Sequence, residues 1–96
     1  MPSRHKILAT DFSNEFVDMM RNRVLISSQK YGFIRENKTA TNYVDTLKNA
    51  RYRLDVYEKT GNPEYLVDAC NFLMFEFMEM RGDFISTDDN EYARVV

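Results

Sequence analysis

The chain has 96 residues, enough for one domain whose core is adequate but not generous. Its 44% apolar and 29% charged content is ordinary for a globular chain, and a formal charge of −2 sets up no field to attract DNA or RNA. Three glycines and two prolines are too few for the many turns of an all-β fold, and the lone cysteine, Cys70, cannot close an internal disulfide.

No apolar run approaches the roughly 18 residues of a membrane span, and the N-terminus carries no signal-peptide core. The expectation is a cytoplasmic, all-α protein without a membrane or nucleic-acid partner. In chain order, Met1 to Thr10 is a short basic lead (Arg4, His5, Lys6) followed by Ile7 and Leu8, read as a tail that is either free or docked. A single imidazole, His5, supplies no metal site.

The first helix is expected over about residues 13–31. Asp11 or Ser13 can cap it, Glu15 suits its first turn, and Gly32 ends it. Phe16, Met20, Val24 and Tyr31 mark one face, with Phe12, Val17 and Leu25 beside them. Residues 32–41 read as a connector. The second helix is expected over about 41–59, with Gly61 just past its end. Tyr43, Leu47, Ala50, Leu54 and Tyr57 fall at spacings of four and three, the pattern of a bundle seam, with Arg51 on the seam side.

The third helix is the most strongly punctuated and is expected over about 63–81. Asn62 can accept from a free amide of the first turn, Pro63 is pre-set for a first helical position, and Glu64 meets the positive end of the dipole. Arg81 and Gly82 supply a stop. Leu66, Val67, Ala69, Cys70, Leu73, Met74, Phe77, Met78 and Met80 fill an apolar arc of roughly 180°, wider than a surface helix needs. Neighbours on several sides are therefore expected, from a three-helix bundle (residues 1–82) and from a homo-oligomer. The polar, acidic tail over 83–96 is expected to be either docked or disordered.

No phosphate loop, dinucleotide fingerprint, zinc spacing or serine elbow is present. Cys70 lies on the apolar arc without a histidine partner and reads as a small core residue. The acids are the residue type most able to carry chemistry. Glu76 and Glu79, like Glu15 and Asp18, stand three apart, so each pair shares a helix face and could hold Mg²⁺ with water and phosphate oxygens. Two such pairs are about what chance gives for 15 acids in 96 residues. Arg51 is the candidate cation, either as an ion-pair partner of Asp68 or Glu76 or as a phosphate-binding guanidinium. Tyr52, Tyr57 or Phe72 would then stack on a base. The candidate ligand-binding set is Arg51, Tyr52, Tyr57, Asp68, Asn71 and Phe72.

The string SQKYG, followed after a second helix by Y-x-x-TGNPEYLVDACNFLMFEF, resembles a family of small helical proteins met mainly in phage and actinobacterial genomes. The likeness covers about Ser27 to Met78, and TGN-x-EYLVDA-x-NF is its specific part. It implies an accessory protein acting on host nucleotide metabolism or host defence. The helix-borne acids give a more distant likeness to the all-α nucleoside triphosphate pyrophosphohydrolases, which bind Mg²⁺ through paired acids on neighbouring helices. That likeness implies Asp68, Glu76 and Glu79 as metal ligands. The second helix offers only Asp45, Asp55 and Glu58, at the wrong spacing for the partner pair. In size and build the chain is also similar to phage proteins that sequester immune signalling nucleotides. Three readings follow. They are a non-catalytic oligomer that binds a nucleotide-like ligand, a Mg²⁺-dependent pyrophosphohydrolase, and a protein-interaction module.

Overall fold

The computed structural model describes residues 1–34, 44–79, 82, 84 and 85. Among them are four α-helices and no strand: α1 Arg4–Asp11, α2 Asn14–Tyr31, α3 Thr46–Thr60 and α4 Glu64–Met78. None is long and apolar enough to cross a membrane. The basic lead, expected to be a tail, is a helix of its own. Ser3 caps α1 by accepting from the amide of Lys6 at 3.2 Å, and Ser13 starts α2 by accepting from the amide of Phe16 at 3.0 Å.

Gly32 ends α2 at a φ of 79°, with its amide bonded to the Ser28 carbonyl. Gly61 ends α3 at a φ of 70°, in the left-handed conformation that spares glycine the usual Cβ penalty. Two boundaries differ from the sequence reading. Helix α3 starts at Thr46 rather than near residue 41, because the Asp45 carboxylate accepts from the amide of Lys48 and sets the cap there. Helix α4 stops at Met78 rather than at Arg81. Glu76 and Glu79 stand at the negative end of its dipole, where acids disfavour another turn, and Glu79 has already left helical geometry. Met80 and Arg81 lie outside the described residues, as does nearly all of the expected tail. Phe84 and Ile85 are exposed.

Helix α4 is the central element, packed against both α3 and α2, whereas α1 packs on no other helix and α2 makes no close backbone approach to α3. The α3–α4 contact is the tightest. Among the described residues, Thr46 and Ala50 of α3 and Val67, Ala69 and Asn71 of α4 are the buried ones, and neither α1 nor α2 has one. Small side chains at Thr46, Ala50 and Ala69 let the two helices approach closely. The inward stripe of α3 is thus Thr46, Ala50, Arg53 and Tyr57, which keeps Ala50 and Tyr57 of the expected seam and puts Thr46 and Arg53 in place of Leu47 and Leu54, while Tyr43 lies outside the described residues. Leu54, expected on the seam, is exposed. Helix α2 is held to α4 differently. The Asn71 amide nitrogen donates to the Met20 carbonyl at 3.1 Å, and Arg23 bridges to two acids of α4.

Candidate functional site

Because α2 and α3 both lean on α4 without closing on each other, a cleft of about 310 Å³ opens between the three helices. Arg23, Lys30 and Tyr31 of α2 line it, together with Arg53 of α3 and Asp68 and Phe72 of α4. Phe75 and Asn71 complete its α4 wall. Three cations meet a single carboxylate here, in a chain that is acidic as a whole.

Each of these side chains is placed for a local reason. Arg53 belongs to a relay that begins at the α3 cap. The Asp45 carbonyl accepts from the Asn49 side chain at 2.8 Å, and the Asn49 oxygen accepts from Arg53 at 2.9 Å. The guanidinium carbon then lies 4.9 Å from the Phe72 ring centroid and 5.5 Å from that of Tyr52. A guanidinium stacked on aromatic faces keeps its charge and its outer N–H donors available. Phe72 is fixed in turn by Phe75, edge to face at 5.9 Å and 88°. Among the described residues no carboxylate pairs with Arg53 or Lys30.

Arg23 is differently employed. It reaches Glu64 at 2.8 Å and Asp68 at 3.2 Å. The hydrogen bond to Asp68 holds the guanidinium above its ordinary pKa, against partial burial, and the charges of Asp68 and Glu64 act in the same direction. Arg23 is therefore a wall of the cleft and a strap between α2 and α4. Asn71, 5% exposed, lines the cleft with its Oδ1 buried and without a partner. An unpaired buried amide oxygen costs about 1–3 kcal/mol.

The sequence-derived candidates divide accordingly. Asp68, Asn71 and Phe72 come together in the cleft. Arg51 does not join them, because it is exposed on the far side of α3, and the partner expected of it for Asp68 is supplied by Arg23. Tyr52 is 60% exposed and touches the site only through Arg53, and Tyr57 is half-buried but outside the cleft. Glu76 accepts from the Thr46 hydroxyl at 2.6 Å, which ties α4 to α3, and Glu79 is the terminal cap residue of α4. Among the described residues no three His, Cys, Asp or Glu side chains are grouped so as to hold a metal ion, and Asp68, Glu76 and Glu79 are spread along the helix. Of the other acidic pair, Asp18 makes an exposed ion pair with Arg21 at 3.1 Å.

Sequence reasoning missed Arg23, Lys30, Tyr31, Arg53 and Phe75. For Arg53 a signal existed. Thr46, Ala50, Arg53 and Tyr57 share the seam spacing, and small residues at two of those positions mark a close helix contact. Arg23 carried no local signal, because its partners stand more than forty residues away in sequence. No protein-family model, curated protein or solved structure matches the chain.

Proposed function

We propose that the chain is a small, phage-type accessory protein that binds a nucleotide-like ligand in the α2–α3–α4 cleft without chemical change. It would act as a homo-oligomer in the host cytoplasm to sequester a compound such as an immune signalling nucleotide. One observation carries this reading. Arg53, braced by Asn49 and stacked on Phe72, presents an unneutralised guanidinium to a cleft that also holds Lys30, Tyr31 and Phe75. Arginine and lysine suit phosphate oxygens, and the aromatic side chains suit a base. A volume near 310 Å³ falls at the small end of the ligand-pocket range of about 300–1,000 Å³.

The acids of α4 favour binding over hydrolysis in this reading. Asp68 holds Arg23 and Glu76 accepts from Thr46, so both serve helix packing. Melting the protein with a panel of mononucleotides, cyclic dinucleotides and ADP-ribose derivatives, with Mg²⁺ present, tests the proposal. A ligand at a hundred times its Kd adds about 2.7 kcal/mol, or a rise of roughly 10 °C or more for a domain this small. Heat-denaturing the complex should then return the compound intact. Absence of any shift across the panel would remove the binder, and recovery of a cleaved product would replace it with the pyrophosphohydrolase.

A further inference from the structure

The charges that line the cleft do not cancel, and the excess says what kind of anion fits it. Among the described residues the lining holds three cations, Arg23, Lys30 and Arg53, and one carboxylate, Asp68. Asp68 is held by Arg23, which also reaches Glu64, an acid outside the lining. The strap therefore carries its own countercharge. Lys30 on α2 and Arg53 on α3 are left over, one on each wall that flanks α4, and no described carboxylate pairs with either.

Arg53 is the more telling of the two. The side chain that fixes it is an amide, Asn49, whose Oδ1 accepts from Nη1 at 2.9 Å. An amide holds the guanidinium in place and leaves its charge intact, whereas a carboxylate of the same shape would neutralise it. That bond uses one of the five N–H donors of a guanidinium. Lys30, exposed at the end of α2, adds the three donors of an ammonium.

We infer that the cleft takes its ligand by a terminal phosphate monoester in its doubly charged form, held between Lys30 and Arg53. The assignment rests on the nucleotide-binding reading above and names the ligand class within it. A phosphodiester carries a single negative charge and two unesterified oxygens, so it neutralises one of the two cations. A terminal phosphate carries about −1.5 to −2 at pH 7 and three strong acceptor oxygens, which can meet donors arriving from two helices. Nucleotides with a free 5′-phosphate therefore rank above cyclic nucleotides, whose phosphates are diesters.

The second proton of a phosphate monoester leaves near pH 6, so binding through it depends on pH. Arg23, Lys30 and Tyr31 face the cleft from α2, Arg53 from α3, and Asp68 from α4, with Glu64 beside Arg23. No imidazole is among them, since the chain's one histidine, His5, lies on α1, which packs on no other helix.

Calorimetric titration of the full chain with 5′-mononucleotides, each beside the methyl ester of its 5′-phosphate, tests the assignment. The two compounds share base and sugar and differ by one charge and one methyl group. At pH 7.5 the free monophosphate should bind about 10-fold tighter, the effect of one charge-assisted hydrogen bond. At pH 5, where about a tenth of it is doubly charged, that advantage should shrink to about 2-fold while the ester binds as before. Lys30→Gln, at an exposed position, should cut the pH 7.5 advantage by a similar factor at unchanged helical content. Equal binding of monophosphate and ester at pH 7.5 would overturn the inference and leave nucleotide binding standing. So would an advantage that persists at pH 5 or in Lys30→Gln, since the methyl group and not the charge would then be what the cleft rejects. No binding of either compound would remove the nucleotide reading and the inference with it.

Discussion

Helix α4 meets its two neighbours by different physics. Against α3 it makes a close contact built on small side chains, with Thr46, Ala50 and Ala69 all under 3% exposed. Against α2 it makes a looser one, held by Arg23, the Asn71–Met20 hydrogen bond and half-buried aliphatics, with no residue of α2 buried. The close contact gives the chain its rigid hairpin. The loose one leaves room for a cleft whose walls are polar and aromatic. A ligand bound there would supply the contacts that α2 otherwise lacks, so stability and binding should be coupled at α2 and nearly uncoupled at the hairpin.

Overpacking the tight contact should do the most damage. Ala69→Leu forces extra methyl groups between α3 and α4 and should cost about 3 kcal/mol, near the upper end for overfilled cores and a large share of the stability of a domain this small. Urea unfolding followed by circular dichroism measures it. A loss below about 0.5 kcal/mol would show that the α3–α4 contact is not close-packed.

The strap on α2 should matter less. Arg23→Met removes an ion pair in which Arg23 and Glu64 are both more than a third exposed, so solvent screening limits the loss to about 1 kcal/mol. Its pH dependence has a definite sign. The folded-state pKa of Arg23 is raised, so its contribution is fully present below the ordinary guanidinium range. It fades only as pH climbs through the still higher folded value. The stability difference between wild type and Arg23→Met should therefore stay level from pH 7 to pH 9. A steady decline across that window would mean that another group carries the strap.

The same contrast explains what was legible in the sequence. The Ser13, Gly32, Gly61 and Asn62 signals mark helix ends through bonds to neighbours two to four residues away, and each acts where it was read. The facing of α3 was not legible from hydrophobicity. Leu47 and Leu54 outrank Thr46 and Arg53 on any apolar scale, yet close helix approach selects small side chains and turns the stripe by about 50°, with Ala50 and Tyr57 kept in it. That rotation carries Arg51 out to solvent and brings Arg53 into the cleft. The pairing of Arg23 with Asp68 needs the α2–α4 contact itself, and no local periodicity encodes it. Asp68, Asn71 and Phe72 could be grouped from the sequence because one helix face places them together, and all three line the cleft.

The central claim rests on which arginine meets the ligand, and one titration decides it. Nucleotide binding should be measured calorimetrically for wild type, Arg51→Ala and Arg53→Ala, all at one salt concentration. Losing charge-assisted hydrogen bonds to phosphate should weaken Arg53→Ala by about 10- to 100-fold, while Arg51→Ala binds like the wild type. Binding that survives in Arg53→Ala and fails in Arg51→Ala would contradict the cleft as the site.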